Sequence, residues 1–261
     1  MSVYTSLDSG LFRDSGLLFV LSSKAGLDFG SPAAPMQTPY DGLNLAYHVG
    51  DDASRVRANR LAIVQSHYPH KKLIYLDQIH SSLILEANSV QGSGDEILLG
   101  RGDGLISSSN GIVGLVLVAD CNPVLLYSAK KRVFALLHAG RLGVMLKITT
   151  AAISRLCRDY GVSASELRVF IGASIRACCY EIGHELERAV SFYFGDKYLV
   201  RSSAPKAKLD LVGMLEDELL EGGVLPSNVE IFPVCSCCNE GYFSYRREGV
   251  TGRFGLFASL V

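Results

Sequence analysis

Between Gly111 and Gly143 the chain alternates apolar runs with turn signals, reading GIVGLVLVADCNPVLLYSAKKRVFALLHAGRLG. Three runs rich in Val and Leu, each short, predict β-strands rather than helices. The first ends in Ala119-Asp120-Cys121, the second follows the turn signal Asn122-Pro123, and the third ends in His138-Ala139-Gly140. A Lys/Lys/Arg turn separates the second from the third. If Val124–Ser128 and Arg132–His138 pair as a hairpin turning near Ala129–Lys131, facing residue numbers sum to about 259–261. His138 then stands opposite residues 121 to 123. Facing side chains lie about 5 Å apart at Cβ and diagonal ones within about 8 Å, so the Cys121 thiol and the His138 imidazole are neighbours.

The remaining pattern is mixed. Residues 1–50 read as short strands and loops, with a Pro/Gly/Ser-rich surface loop at Gly30–Gly42. Asp51 or Asp52 caps a helix over Ala53–Ser66, with Val56, Leu61 and Val64 on its buried side. Lys72–Asp77 is a strand that delivers Gln78-Ile79-His80 to its end. Gln91–Gly104, rich in Gly and acidic residues, reads as a loop able to fold over something. Apolar spacing of three and four over Val144–Tyr160 predicts one amphipathic helix closed by Gly161. A strand over Leu167–Ile171, helices over His184–Phe194 and Leu209–Glu221, and a strand over Val229–Val234 follow. No repeat or linker breaks the chain, and hairpins are too frequent for a purely parallel sheet. Residues 1–261 therefore read as one domain of mixed α and β structure.

Composition narrows the function classes. With 48% hydrophobic and 20% charged residues the chain can bury a core without long disordered tails. A net charge of −1 offers no basic face for nucleic acid. No apolar run reaches the ~18–20 residues of a membrane span, and the opening MSVYTSLDSGLF lacks the charged and apolar regions of a signal peptide. Seven cysteines, clustered as Cys178-Cys179 and Cys235-x-Cys237-Cys238, do not resemble a secreted disulfide framework. A reducing, cytoplasmic location is expected.

Among six histidines and seven cysteines, three stand out by position. His80, Cys121 and His138 each end or directly follow an apolar strand, where loops and sites converge. Taken singly, a cysteine there reads as a small buried hydrophobe and a histidine as a hydrogen-bonded core or surface residue. Taken together, two imidazoles and a thiolate suit zinc, with copper as competitor, and three ligands leave an open fourth position. Without metal, Cys121 as thiolate and His138 as its base make a nucleophile pair. The other cysteines of the two clusters read as buried free thiols. Arg60, Arg246, Arg247 and Arg253 read first as structural or solvated charges, and second as anion contacts.

Several stretches carry a resemblance. Leu76-Asp77-Gln78-Ile79-His80, Gly102-Asp103-Gly104-Leu105-Ile106, Ala119-Asp120-Cys121-x-Pro123-Val124-Leu125-Leu126 and His138-Ala139-Gly140 match motifs of the YfiH-like family. So do Ile171-Gly172-x-Ser174-Ile175, Cys179-Tyr180-Glu181-Ile182-Gly183, Phe243-Ser244-Tyr245-Arg246-Arg247 and Thr251-Gly252-Arg253, with Asn44-Leu45 and Asn59-Arg60 near the start. That family was long labelled laccase-like polyphenol oxidase and is now described as purine nucleoside phosphorylase. The resemblance spans about residues 44 to 255. It implies an α+β fold, a single-domain α/β/β/α sandwich with mixed sheets and flanking helices. It further implies a zinc or copper site on His80, Cys121 and His138, and phosphorolysis of adenosine, inosine and related nucleosides with adenosine deamination as a second activity. Asn44, Arg60, Gln78, Arg141 and Arg247 are the expected contacts to nucleoside or phosphate. One departure stands out: where the family has H-A-G-W-R-G, this chain has His138-Ala139-Gly140-Arg141-Leu142-Gly143. Arg141 occupies the tryptophan position and Leu142 the arginine position; Ser81 replaces a glycine.

The competing expectations are a metal-free cysteine hydrolase or peptidoglycan-precursor editing enzyme using Cys121 and His138, and a metal-binding relative without activity. Copper-dependent phenol oxidation ranks lower, because the chain lacks the multiple His-x-His pairs of a multi-copper cluster.

Overall fold

The computed structural model describes residues 3–25, 38–88 and 94–261. Most of the predicted Gly30–Gly42 loop lies outside the described residues. The first sheet is built from β1 (Val3–Thr5), β2 (Leu17–Ser22), β3 (Lys72–Asp77), a strand at Glu96–Arg101, a strand at Ile112–Val118 and the C-terminal strand Phe254–Leu260. The second contains β4 (Ile84–Glu86) together with Gly104–Ser107, Asn122–Ser128, Val133–Ala139, Arg168–Ile171 and Val229–Ile231. In chain order these further strands are β5 (Glu96–Arg101), β6 (Gly104–Ser107), β7 (Ile112–Val118), β8 (Asn122–Ser128), β9 (Val133–Ala139) and β10 (Arg168–Ile171). A two-residue ladder, β11 (Leu199–Val200) with β12 (Lys208–Leu209), precedes β13 (Val229–Ile231) and β14 (Phe254–Leu260).

Alternation along the strands makes the layers. In β8, Val124 and Leu126 face the helices while Leu125 and Tyr127 face the opposite sheet; in β9, Val133, Ala135 and Leu137 face the helices and Phe134 and Leu136 the other sheet. The two inner faces interlock through Phe19, Val116 and Leu256 from one sheet and Leu125, Leu136 and Phe170 from the other. Helix α1 (Ala53–His67) covers the outer face of the first sheet with Ile63 and Val64. On the second sheet's outer face lie α2 (Arg141–Met145), α3 (Ile148–Tyr160), α4 (His184–Phe194) and α5 (Leu211–Glu221). The result is the expected α/β/β/α sandwich with mixed sheets: β3 runs parallel to β5 and β7, while β8 and β9 are antiparallel.

The hairpin pairs with a constant sum of 261, Pro123 facing His138 and Ser128 facing Val133. Three expectations need correction. The helix over Val144–Tyr160 is two helices, because Lys147 adopts a left-handed conformation (φ 60°) that ends α2 and starts α3. The stretch to Gly104 is not one loop: β5 occupies most of its described part, half-exposed at the edge of the first sheet, and Gly104 opens the buried β6. On α1, Leu61 is only half-buried, whereas Arg60 and Ile63 are fully enclosed. Asp52 is the cap, accepting from the N–H groups of Ser54 and Arg55.

Candidate metal centre

Three times the chain crosses from the first sheet to the second at the same end of the sandwich, after β3, after β5 and after β7. His80 lies in the first crossing, Asp103 in the second and Cys121 in the third. His138 is the penultimate residue of β9 and, by parity with Phe134 and Leu136, faces the space between the sheets. The crossings require tight backbone: His80 has φ 59° and Asp120 φ 90°, the latter sparsely populated for a side chain with a Cβ. Asp120 is pinned there. Its carboxylate accepts from Ser236 Oγ at 2.7 Å and from the Arg246 N–H at 2.7 Å, and its carbonyl accepts from the Ile175 N–H at 2.9 Å.

The donor atoms of His80, Cys121 and His138 lie within 4.8 Å of one another. His80 Nε2 is 3.9 Å from Cys121 Sγ, and the two imidazole rings meet edge to face at 4.8 Å. A tetrahedral zinc with standard Zn–S and Zn–N lengths would set its sulfur and nitrogen about 3.6 Å apart, so the donor set fits a cation with little movement. His138 Nδ1 is taken by Asp103 Oδ1 at 2.8 Å, which leaves Nε2 for the centre. Close packing also demands a glycine: a Cβ at Gly140 would fall 2.9 Å from His80 Cδ2 and 3.0 Å from Cys121 Sγ.

Asp103 joins the two histidine elements. Besides His138 it accepts from the backbone N–H groups of Ile79, His80 and Ser81 and from Ser81 Oγ. Burial opposes its charge, but the hydrogen bonds from His138 and Ser81 prevail and hold its pKa at about 2. Burial would likewise raise Cys121, yet the charge and hydrogen bond of His138, then those of His80, bring the thiol to about 6. Against burial, the Cys121 thiolate and Asp103 lift His138 to about 9. Both shifts favour a thiolate beside an imidazolium when no metal is bound.

These groups form one wall of a cavity of about 360 Å³, within the size range of small-molecule sites. Gln78 and Arg141 line it, and His48, Tyr180, Tyr245, Arg246 and Arg253 join them. Both amide atoms of Gln78 are bonded to the Leu117 backbone, so its role is to join β3 to β7. Three expected contacts are corrected. Arg60 is 1% exposed, stacked between Tyr47 and Tyr75 at 4.3 Å from each ring and paired with Glu96. Asn44 is buried and holds the backbone of Ala46 and Arg253. Arg247 turns to the carbonyls of Ser236, Cys237 and Tyr242. Each spends its polarity on closing loops around the site. The cysteines of the two clusters are corrected as well: Cys178 and Cys238 are exposed, and Cys179, Cys235 and Cys237 half-buried.

With this geometry in hand the comparisons are decisive. Residues 33–261 match the family model described as "Multi-copper polyphenol oxidoreductase laccase". The chain belongs to this family. A relative named purine nucleoside phosphorylase, from Corynebacterium glutamicum, is 33% identical over 219 residues, covering 83% of this chain and 86% of the relative. Another, named adenosine deaminase RL5, from an unknown prokaryotic organism, is 30% identical over 220 residues, covering 81% and 84%. The crystal structure of YlmD from Geobacillus stearothermophilus superposes with a TM-score of 0.85 at 25% identity, over 97% of this chain and 94% of that one. The family is thus associated with metal, and the chain carries a donor set able to hold one. Among the described residues no helix is long and apolar enough to cross a membrane.

Proposed function

We propose that the protein is a metal-dependent purine nucleoside phosphorylase, converting adenosine, inosine and related nucleosides with phosphate into free base and ribose 1-phosphate. One observation carries this reading: two imidazoles and a thiolate converge on the wall of a cavity that also presents Arg141, Arg246 and Arg253. Zinc is the cation best suited to His80, Cys121 and His138, and when bound it supplies a Lewis acid with one open position. Copper fits the same donors, but among the described residues the only other donor group is all cysteine, which does not supply the further histidines of a multi-copper cluster.

In phosphorolysis the bond from ribose C1′ to the purine nitrogen breaks, a bond from C1′ to a phosphate oxygen forms, and the base leaves with a proton on nitrogen. The guanidinium groups suit the phosphate, which they bind by paired N–H donors. Arg141 stands at the tryptophan position of the resembled motif H-A-G-W-R-G and lines the cavity beside Tyr180, which suits it to the role left open by Leu142. Burial, then the charge of Arg253, keeps His48 below its ordinary pKa; a neutral His48 can donate to or accept from the base or sugar. The test is inosine and phosphate with the zinc-loaded protein, followed as ribose 1-phosphate and hypoxanthine. Absence of both products overturns the reading.

Deamination of adenosine is the second reading, favoured by a donor set of only three side chains: a cation held by them would supply Lewis acidity able to activate a water. It is separated from the first by omitting phosphate: ammonia and inosine from adenosine alone report it.

A further inference from the structure

Four of the remaining cysteines converge at a place that the proposed reaction does not use. Beyond β10 and β13 the two chains continue side by side: Phe232 donates to the Ile171 carbonyl, and Ser174 and Cys235 form a parallel bridge, with the Ser236 N–H on the Ser174 carbonyl. Each then turns sharply. The first turn presents Cys178 and Cys179, the second Cys235 and Cys238 at C-x-x-C spacing. The four sulfurs all lie within 4.8 Å of one another, with Cys238 Sγ 3.1 Å from Cys179 Sγ and 3.5 Å from Cys178 Sγ. Adjacent cysteines diverge on an extended strand, but here the Cys179 and Tyr180 N–H groups close on the Arg176 carbonyl and bring both thiols to one side.

We propose that Cys178, Cys179, Cys235 and Cys238 form a second metal site, a closed tetrathiolate centre for one zinc-class divalent cation. A tetrahedron with ~2.3 Å Zn–S bonds has sulfurs about 3.8 Å apart, close to the observed spacing. A disulfide needs about 2.05 Å and joins only two sulfurs, whereas Cys238 faces two neighbours, at 3.1 and 3.5 Å. The backbone N–H groups of Arg176, Cys238 and Cys237 are directed at the Cys235 sulfur, donors that favour a thiolate. Four thiolates around a divalent ion make a net dianion, and cations stand around it: Lys208 Nζ holds the Cys178 carbonyl, Arg247 the Ser236 and Cys237 carbonyls, and Arg176 the Gly172 and Phe232 carbonyls.

The centre would be structural, since four protein ligands leave no open position. It ties together the loops that frame the cavity. Ile175 and Ser236, on either side of it, are the residues that hold Asp120 beside Cys121, and Tyr180 lines the cavity one residue beyond Cys179.

The experiment compares zinc content in protein purified under reducing conditions without chelator. The wild type is expected to hold two equivalents and His80→Ala/Cys121→Ala one, so this centre is tested even if the proposed function fails. Cys235→Ser/Cys238→Ser is expected to lose one equivalent and keep the zinc on His80, Cys121 and His138. If that variant does not fold, cobalt-loaded His80→Ala/Cys121→Ala protein decides. The intense sulfur-to-cobalt absorption of tetrahedral thiolate ligation supports the centre, and a weak octahedral spectrum overturns it. No zinc in His80→Ala/Cys121→Ala protein, or a Cys–Cys238 disulfide in its non-reduced peptide map, also overturns it.

Discussion

His138 Nδ1 lies 2.8 Å from Asp103 Oδ1, and the same carboxylate accepts the backbone N–H of His80 at 2.9 Å. One buried side chain thus fixes the ring of one histidine of the donor set and the loop of the other. Asp103→Asn preserves shape but removes the charge that sets the His138 tautomer. The expected outcome is a loss of metal affinity of about 10–100-fold, read by competition against a chromophoric chelator, with the circular dichroism spectrum unchanged. Unchanged affinity would mean that the carboxylate does not orient the ligands.

Gly140 makes a steric prediction. Its φ of −72° suits any residue, so Gly140→Ala carries no backbone penalty. The added methyl falls within 3.0 Å of both the His80 ring and the Cys121 sulfur. It should part the ligands by a few tenths of an ångström or more, lowering metal content and reducing turnover by about 10²-fold while the melting temperature hardly moves. Normal zinc occupancy in the purified variant would refute the close approach.

Much of this arrangement was legible in the chain. Alternating Val and Leu with a charged turn specified the register of β8 and β9, because slipping by one residue would expose every inward side chain. That register put His138 opposite Pro123 and next to Cys121. Burial of Arg60 was not legible: a helical arginine reads as surface, and the cage of Tyr47, Tyr75 and Glu96 comes from separate parts of the chain. The break at Lys147 was hidden because apolar spacing continues through it. β5 reads as a loop because Glu96-Ile97-Leu98-Leu99-Gly100-Arg101 follows no alternation, and its parallel pairing with β3 supplies what propensity does not. Asp103 was visible only as part of a matched motif. Its role depends on the β6–β9 pairing, which lays it beside His138.

Cys121 should betray its surroundings through its reactivity. An isolated thiol ionises near pH 8.5, whereas Cys121 is brought to about 6 by His138 and His80. Below about pH 6 the metal-free protein holds a neutral thiol. As pH rises through 6 the thiolate forms while His138, lifted to about 9, stays protonated. Alkylation of Cys121 by iodoacetamide in chelator-stripped protein is therefore expected to switch on around pH 6, and zinc should suppress it. His138→Ala removes the main charge that stabilises the thiolate, so the midpoint should move upward. A midpoint near 8.5 in the unsubstituted protein would contradict the pairing.

Two arginines separate binding from architecture. Arg141 lines the cavity, whereas Arg60 is sealed between two tyrosine rings and bonded to the Leu45 carbonyl and Glu96. On the proposed function, Arg141→Leu should raise the KM for phosphate, with the melting temperature and zinc content retained, because the proposed anion contact is lost and no buried ion-pair partner is stranded. Arg60→Ala should instead leave Glu96 without its partner and empty a stacked cage. Breaking such a buried pair costs about 3–5 kcal/mol, seen as a lower urea midpoint, while the KM for phosphate of the folded fraction stays the same. If Arg60→Ala raised the KM for phosphate at full stability and Arg141→Leu left it untouched, the assignment of the two residues would be reversed.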